Sequence, residues 1–181
     1  MNSPRRPLLV GAAALLVGLL PPSSAHADEE GWTSLFAPGH TTLELQASPY
    51  TYHFSRQPHS HVSLLGLTSV RDSGWLWGGA YFRNSFGQPS AYLYAGRRYD
   101  EPFGLQRVYW NWSAGLIYGY KPPYQDKVPV NWHGIAPAIV PAIGYRVTPG
   151  ISAELSLLGT SALMLQFVVA LDGKHGLASS F

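Results

Sequence analysis

In four segments between Val108 and Leu171 the chain alternates, residue by residue, between two unlike faces. Val108, Trp110, Trp112, Leu116 and Tyr118 share one face, and Tyr109, Asn111, Ser113, Gly115 and Gly119 the other. Further on, Ile135, Ile139, Ile143 and Tyr145 oppose Ala136, Ala138, Ala142 and Gly144. Ile151, Ala153, Leu155 and Leu157 oppose Ser152, Glu154 and Ser156, while Leu163, Leu165, Phe167 and Val169 oppose Met164, Gln166 and Val168. A period of two is the signature of β-strands. The character of the faces narrows the fold further. A soluble sandwich turns its apolar face inward and carries charge outside. Here the less apolar face is nearly uncharged and rich in Gly, Ala and Ser, and the apolar face carries Trp and Tyr near the strand ends. That inversion predicts lipid outside, small and polar groups inside, and aromatic girdles at the two interfaces.

Composition agrees. Charged residues are 12% of the 181, against roughly 25% in an average soluble domain. Mean hydropathy is −0.02, so apolar and polar residues are finely mixed. So little charge argues against a disordered chain and against nucleic acid as a partner. With no Cys, disulfide scaffolds, thiolate metal sites and Cys nucleophiles are excluded.

The first 27 residues have the layout of a secretory signal. Arg5 and Arg6 precede the apolar stretch Leu8–Leu20, and Ala25-His26-Ala27 supplies a small-residue cleavage site. The stretch is short for a membrane anchor, which needs about 20 apolar residues. Removing it leaves 154 residues with ten basic and ten acidic side chains. The expected organisation is a signal peptide at 1–27, a periplasmic N-terminal segment at 28–40, a barrel at 41–171 and a tail at 172–181.

Eight strands are expected: 41–54, 61–71, 74–83, 89–100, 106–120, 133–147, 150–158 and 161–171. The fold class is therefore an all-β, eight-stranded antiparallel outer-membrane barrel, whose lumen is filled by side chains or one small ligand. With the N-terminus in the periplasm, the short turns at 71–74, 100–104 and 148–150 lie on that side. The connections 55–60, 84–88, 121–132 and 159–160 then lie outside. This sorts the lumen by height. Arg98, Arg107, Tyr109, Asn111, Arg146 and Glu154 fall low, and a buried carboxylate needs a partner, so Glu154 is expected to pair with Arg98, Arg107 or Arg146. Higher up, Ser113, Ala136, Ala138, Ala162 and Met164 face inward with Tyr92 and Tyr94. Two readings stay open there: a slot for one hydrocarbon chain, or a lumen plugged by Tyr and Met.

At the outer rim, residues able to do chemistry converge from separate strands. His53 ends the first strand, Asn84 and Ser85 follow the third, and Asp126, Lys127 and His133 lie in the third outer connection. A hydroxyl beside an imidazole can attack an ester while the ring takes the proton. His53 shares its parity with Leu43 and Leu45, which belong on the lipid side. A bulge at Pro49 reverses that phase and turns His53 inward. Arg56, Arg83, Lys121 and Lys127 are placed to hold lipid phosphates. His59-x-His61 has metal-ligand spacing but no nearby carboxylate, so no metal or other cofactor is expected.

At these residues the chain resembles the PagP-type lipid A palmitoyltransferases, eight-stranded outer-membrane barrels. Tyr50-Thr-Tyr-His53 is similar to the end of the family's first strand, which carries an essential His. Trp77-Gly-Gly79 is similar to a run at the start of a strand. Phe82-Arg-Asn-Ser-Phe86 is similar to the loop that supplies an essential Asp and Ser, with Asn84 standing where the family has Asp. Ser113-Ala-Gly-Leu116 and Pro141-Ala-Ile-Gly-Tyr145 are similar to two later strands. The resemblance covers roughly residues 50–158 in short pieces. It implies transfer of a palmitoyl-like chain from a phospholipid to lipid A, with His53, Ser85 and Asn84 at the reacting centre. It also implies strand-breaking prolines that admit lipid sideways, here Pro49, Pro137 and Pro141. Lipid A, phospholipid and the bilayer are the expected partners of a monomer. A lipid esterase in the same barrel and a non-catalytic lipid-binding barrel are the competing readings.

Overall fold

The computed structural model describes residues 39–55, 60 and 62–171. The signal peptide, the N-terminal segment up to residue 38, Arg56, His59, His61 and the tail from 172 lie outside the described residues. Eight strands follow one another in chain order: β1 Thr41–His53, β2 Leu64–Arg71, β3 Trp75–Arg83, β4 Pro89–Asp100, β5 Val108–Tyr118, β6 Ile135–Thr148, β7 Ile151–Leu158 and β8 Ala162–Ala170. Each pairs antiparallel with its sequence neighbour, and β1 closes on β8. Closure leaves no free sheet edge in the ring. The expected strands are all present, and they end within about three residues of the expected positions.

The register puts the alternating faces where the sequence pattern requires. Leu65, Leu93, Leu116 and Ile139 are more than half exposed on the outside, a surface tolerable only against lipid. Leu155 and Phe167 are also exposed outside, and Trp110 and Trp112 share that face. Asn111, Ser113 and Gln166 are buried inside. At the short-turn end, Trp110 stacks on Tyr99 with ring centroids 4.7 Å apart. Arg97 lies over Trp75 and Tyr99, and Arg71 over Trp77. This is an aromatic girdle with cations set against its rings.

The lower lumen is polar and paired. Arg98 donates both terminal nitrogens to Glu44, at 2.6 and 2.7 Å, and both side chains are buried. The Tyr109 ring lies between the guanidinium groups of Arg98 and Arg146. Tyr109 is 1% exposed, and only Gly144 leaves room for it: a Cβ there would lie 2.1 Å from the ring. Along the inner wall Asn111 of β5 donates to Glu154 of β7 at 2.9 Å, and Gln166 of β8 donates to Ser156 of β7 at 2.6 Å.

These contacts correct the expected ion pair. Glu154 is buried in the lower lumen, but its direct partner is Asn111 and the carboxylate facing Arg98 is Glu44. Arg146 bonds Asp100 at the rim. Arg107 is exposed in the turn before β5, with φ +68, and does not reach the lumen. The sequence pattern runs unbroken through 106–107, but the left-handed residue ends the strand at Val108. Removing one member of a buried pair strands the other's charge, at a cost of about 3–5 kcal/mol. Arg98→Met is therefore expected to destabilise the barrel by that amount in urea-unfolding titrations from lipid vesicles. Arg107→Met, outside the lumen, is expected to leave the midpoint within experimental scatter.

Candidate active site

β1 is interrupted by one extra residue. Ala47 faces Phe167 of β8, yet the next paired residue, Tyr50, faces Leu165, so three steps on β1 match two on β8. Before the bulge Glu44, Gln46 and Ser48 point inward; after it Tyr50 and Tyr52 are exposed outside. The phase has reversed, and His53 falls on the inward parity. Pro49 sits in the bulge, where its missing N–H removes a ladder donor. The Ser48 hydroxyl offsets that loss by donating to the Leu165 carbonyl at 2.7 Å.

At the long-loop end the His53 Nε2 lies 2.6 Å from the Ser85 Oγ. The two belong to different strand ends, 32 residues apart in the chain. The β3–β4 loop that presents Ser85 is held by its neighbour. Asn84 is 1% exposed, and its Oδ1 accepts the backbone N–H of Phe86 and of Gln88, each at 3.0 Å. The Asn84 N–H donates to the Gln88 carbonyl, and the Ser85 carbonyl accepts the Ser60 N–H. Asn84 therefore builds the turn that aims Ser85. Its Nδ2 is buried with no hydrogen-bond partner among the described residues.

The long β5–β6 loop docks against this turn. Phe86 stacks on Tyr124 at 4.4 Å and lies edge-on to Tyr120. Burial pushes the Tyr120 phenol above its ordinary range. Lys127 lies over the other side of this cluster, 5.9 Å from the Phe86 ring centre. Gln88 and Lys121 bond each other twice through side chain and backbone. Arg83, Lys121 and Lys127 are all exposed at this end, with Arg83 reaching the Gly87 carbonyl at 3.4 Å.

Among the described strands, two stretches of wall at the long-loop end are laddered on one side only. β2 begins at Leu64, opposite Ser48, so Pro49–His53 pair with β8 alone among the described strands. The β6–β7 ladder stops at Ala142↔Ser156, so Ala136–Pro141 pair with β5 alone among the described strands. The Arg146 N–H points to the β5 side, and strand alternation then turns the nitrogens of Pro137 and Pro141 toward β7. Both prolines therefore remove donors from the unpaired edge.

Inside, below this end, Tyr92 and Tyr94 stack with centroids 4.8 Å apart. Tyr92 reaches Ser113, and Tyr94 reaches Gln46 and Thr68. Met164 is buried, as are the small residues Ala136 and Ala162. The tyrosine pair thus spans the lumen at mid-height, with the charged layer beneath it.

No family model matches the sequence, and no curated protein is detectably similar to it. A solved structure described as "De novo design of transmembrane beta-barrels" superposes with a TM-score of 0.50 at 12% identity. The match covers 75% of this chain and 98% of that one. The likeness is one of fold: the chain is a membrane-type eight-stranded barrel.

Since Asn84 acts through the loop, its two accepted N–H bonds decide the effect of replacing it. Asn84→Ala is expected to lower any Ser85-dependent turnover at least tenfold while the barrel keeps its heat resistance in detergent. Asn84→Asp retains an oxygen for both N–H groups, and activity is expected to stay within a few-fold. Parallel loss in both variants, measured as initial rates on an acyl ester, would contradict a positioning role.

Proposed function

We propose that the protein is an outer-membrane acyltransferase that moves a fatty acyl chain from a phospholipid to lipid A or a related glycolipid. The observation that carries this reading is the 2.6 Å contact of His53 with Ser85 at the loop end of the barrel. A Ser–His pair is a nucleophile with its base, and this is the geometry that activation needs. The resemblance to PagP-type enzymes supports the same two residues. A dyad facing bulk water would suit a soluble ester. One set at the end where the described β1–β2 and β6–β7 ladders stop short suits a substrate that never leaves the bilayer.

In this reading Ser85 Oγ attacks the acyl carbonyl of the phospholipid and His53 takes its proton. The ester C–O bond breaks, and the imidazolium returns the proton to the departing lysophospholipid hydroxyl. A hydroxyl of the acceptor glycolipid then attacks the seryl ester, again losing its proton to His53. The new ester forms as the bond to Ser85 breaks, and the imidazolium returns the proton to the Ser85 oxygen. The acyl chain lies in the upper lumen, where Met164 and the alanines give an apolar wall and the Tyr92–Tyr94 pair a floor. Arg83, Lys121 and Lys127 hold phosphates at the rim. Pro49 on one side and Pro137 with Pro141 on the other keep the wall open to lipid.

The test is mass spectrometry of lipids after incubation of the refolded protein with phospholipid and lipid A in mixed micelles. Transfer adds one acyl mass to lipid A and leaves lysophospholipid. Ser85→Ala and His53→Ala are each expected to lower that product at least a thousandfold while remaining folded. Free fatty acid without acylated lipid A would make the protein a hydrolase. Full transfer by both variants would leave the dyad without a role.

A further inference from the structure

The β5–β6 loop borders an open depression of about 440 Å³ at the rim, lined by Lys121, Gln125, Asp126, Trp132 and His133 among others. Its volume is that of a small-molecule site. The loop around it is built and not slack. Asn131 donates to the Tyr120 carbonyl at 2.7 Å and accepts the Gly134 N–H at 2.8 Å. Trp132 and Ile135 exchange both backbone bonds. Val130 and His133 are held at φ +57 and +52, conformations that a β-branched residue and most others avoid and that persist only where surroundings over-determine them.

The lining has a specific chemistry. Trp132 is 71% exposed, and its ring meets His133 edge-on at 4.9 Å. An open indole face beside an amide, a carboxylate, an imidazole and an ammonium group fits a pyranose. The ring's C–H face lies on the indole, and its hydroxyls meet the polar side chains. Lys121 adds a cation suited to a phosphate substituent. The site is also placed for use. Its wall at Lys121 is bonded to Gln88, whose N–H is held by the residue preceding Ser85. Trp132 pairs with Ile135, the residue before the stretch of β6 laddered on one side only.

We infer that this depression is a binding site for the phosphorylated sugar headgroup of the acceptor, with Trp132 as its stacking platform and Lys121 as its phosphate contact. The inference rests on the acyltransferase reading for its biological use, though binding itself needs no chemistry. The acyl-chain slot fixes the donor, and this second site fixes the acceptor hydroxyl relative to Ser85.

The experiment is a titration of the refolded barrel in detergent with three soluble probes: glucosamine 6-phosphate, glucosamine and inorganic phosphate. The readout is the Trp132 indole N–H signal in NMR, assigned by its loss in Trp132→Phe. The phosphosugar is expected to shift that signal saturably, and at least tenfold more tightly than either fragment. Trp132→Ala and Lys121→Ala should each weaken its binding at least tenfold, with the remaining spectrum preserved. Equal affinity for inorganic phosphate would overturn the sugar assignment, and no saturable shift would overturn the site. Binding also measured on Ser85→Ala separates the two claims. Saturable binding by a protein without transfer removes the acyltransferase reading alone, and transfer without binding removes this site alone.

Discussion

Side chains on a strand alternate without exception, so a single inserted residue decides where every later one points. In this barrel that residue lies between Ala47 and Tyr50. Without it, His53 would share the lipid-facing side with Leu43 and Leu45, and no motion of the Ser85 loop would bring the two together. With it, Tyr50 and Tyr52 turn to the lipid and His53 turns in. Pro49 makes the bulge natural by withholding a donor, and Ser48 makes it stable by supplying one. The candidate chemistry thus rests on a local departure from an otherwise regular sheet.

The barrel is divided along its axis. At the short-turn end a paired polar layer, Glu44 with Arg98 and Asn111 with Glu154, fills the lumen and fastens the strands to one another. At the long-loop end the walls are less complete: β1 outruns β2, and β6 outruns β7. Rigidity and access are segregated in this way. The lower half can hold the ring closed, while among the described strands the β1–β2 and β6–β7 ladders stop short in the upper half. The stacked pair Tyr92–Tyr94 marks the boundary.

Much of this was legible in the sequence, for a physical reason. Strand alternation is local, so Trp110, Asn111, Ser113, Leu155 and Gln166 declared their faces without any tertiary knowledge. The phase reversal at Pro49 was legible too, because proline cannot sit quietly in a central ladder. Partners across the lumen were not legible. Glu44 and Arg98 are 54 residues apart, and only barrel tilt and register decide that they meet while Glu154 takes Asn111. Arg107 carries the parity of a lumen residue and is excluded by a left-handed backbone that alternation cannot reveal. The resemblance put Asn84 at the reacting centre, and only the folded loop shows its oxygen accepting two N–H groups of that loop. The β5–β6 depression depends on a loop fold with no periodicity at all.

The central claim is that the bulge turns His53 toward Ser85, and the absence of native Cys makes a direct measurement possible. In the double variant His53→Cys with Ser85→Cys, dibromobimane should bridge the two thiols and become fluorescent in the folded barrel. In Tyr52→Cys with Ser85→Cys, where the first residue faces lipid, it should label without bridging. Bridging by the Tyr52 pair and not by the His53 pair would contradict the account, because it would place the imidazole on the outside of the wall.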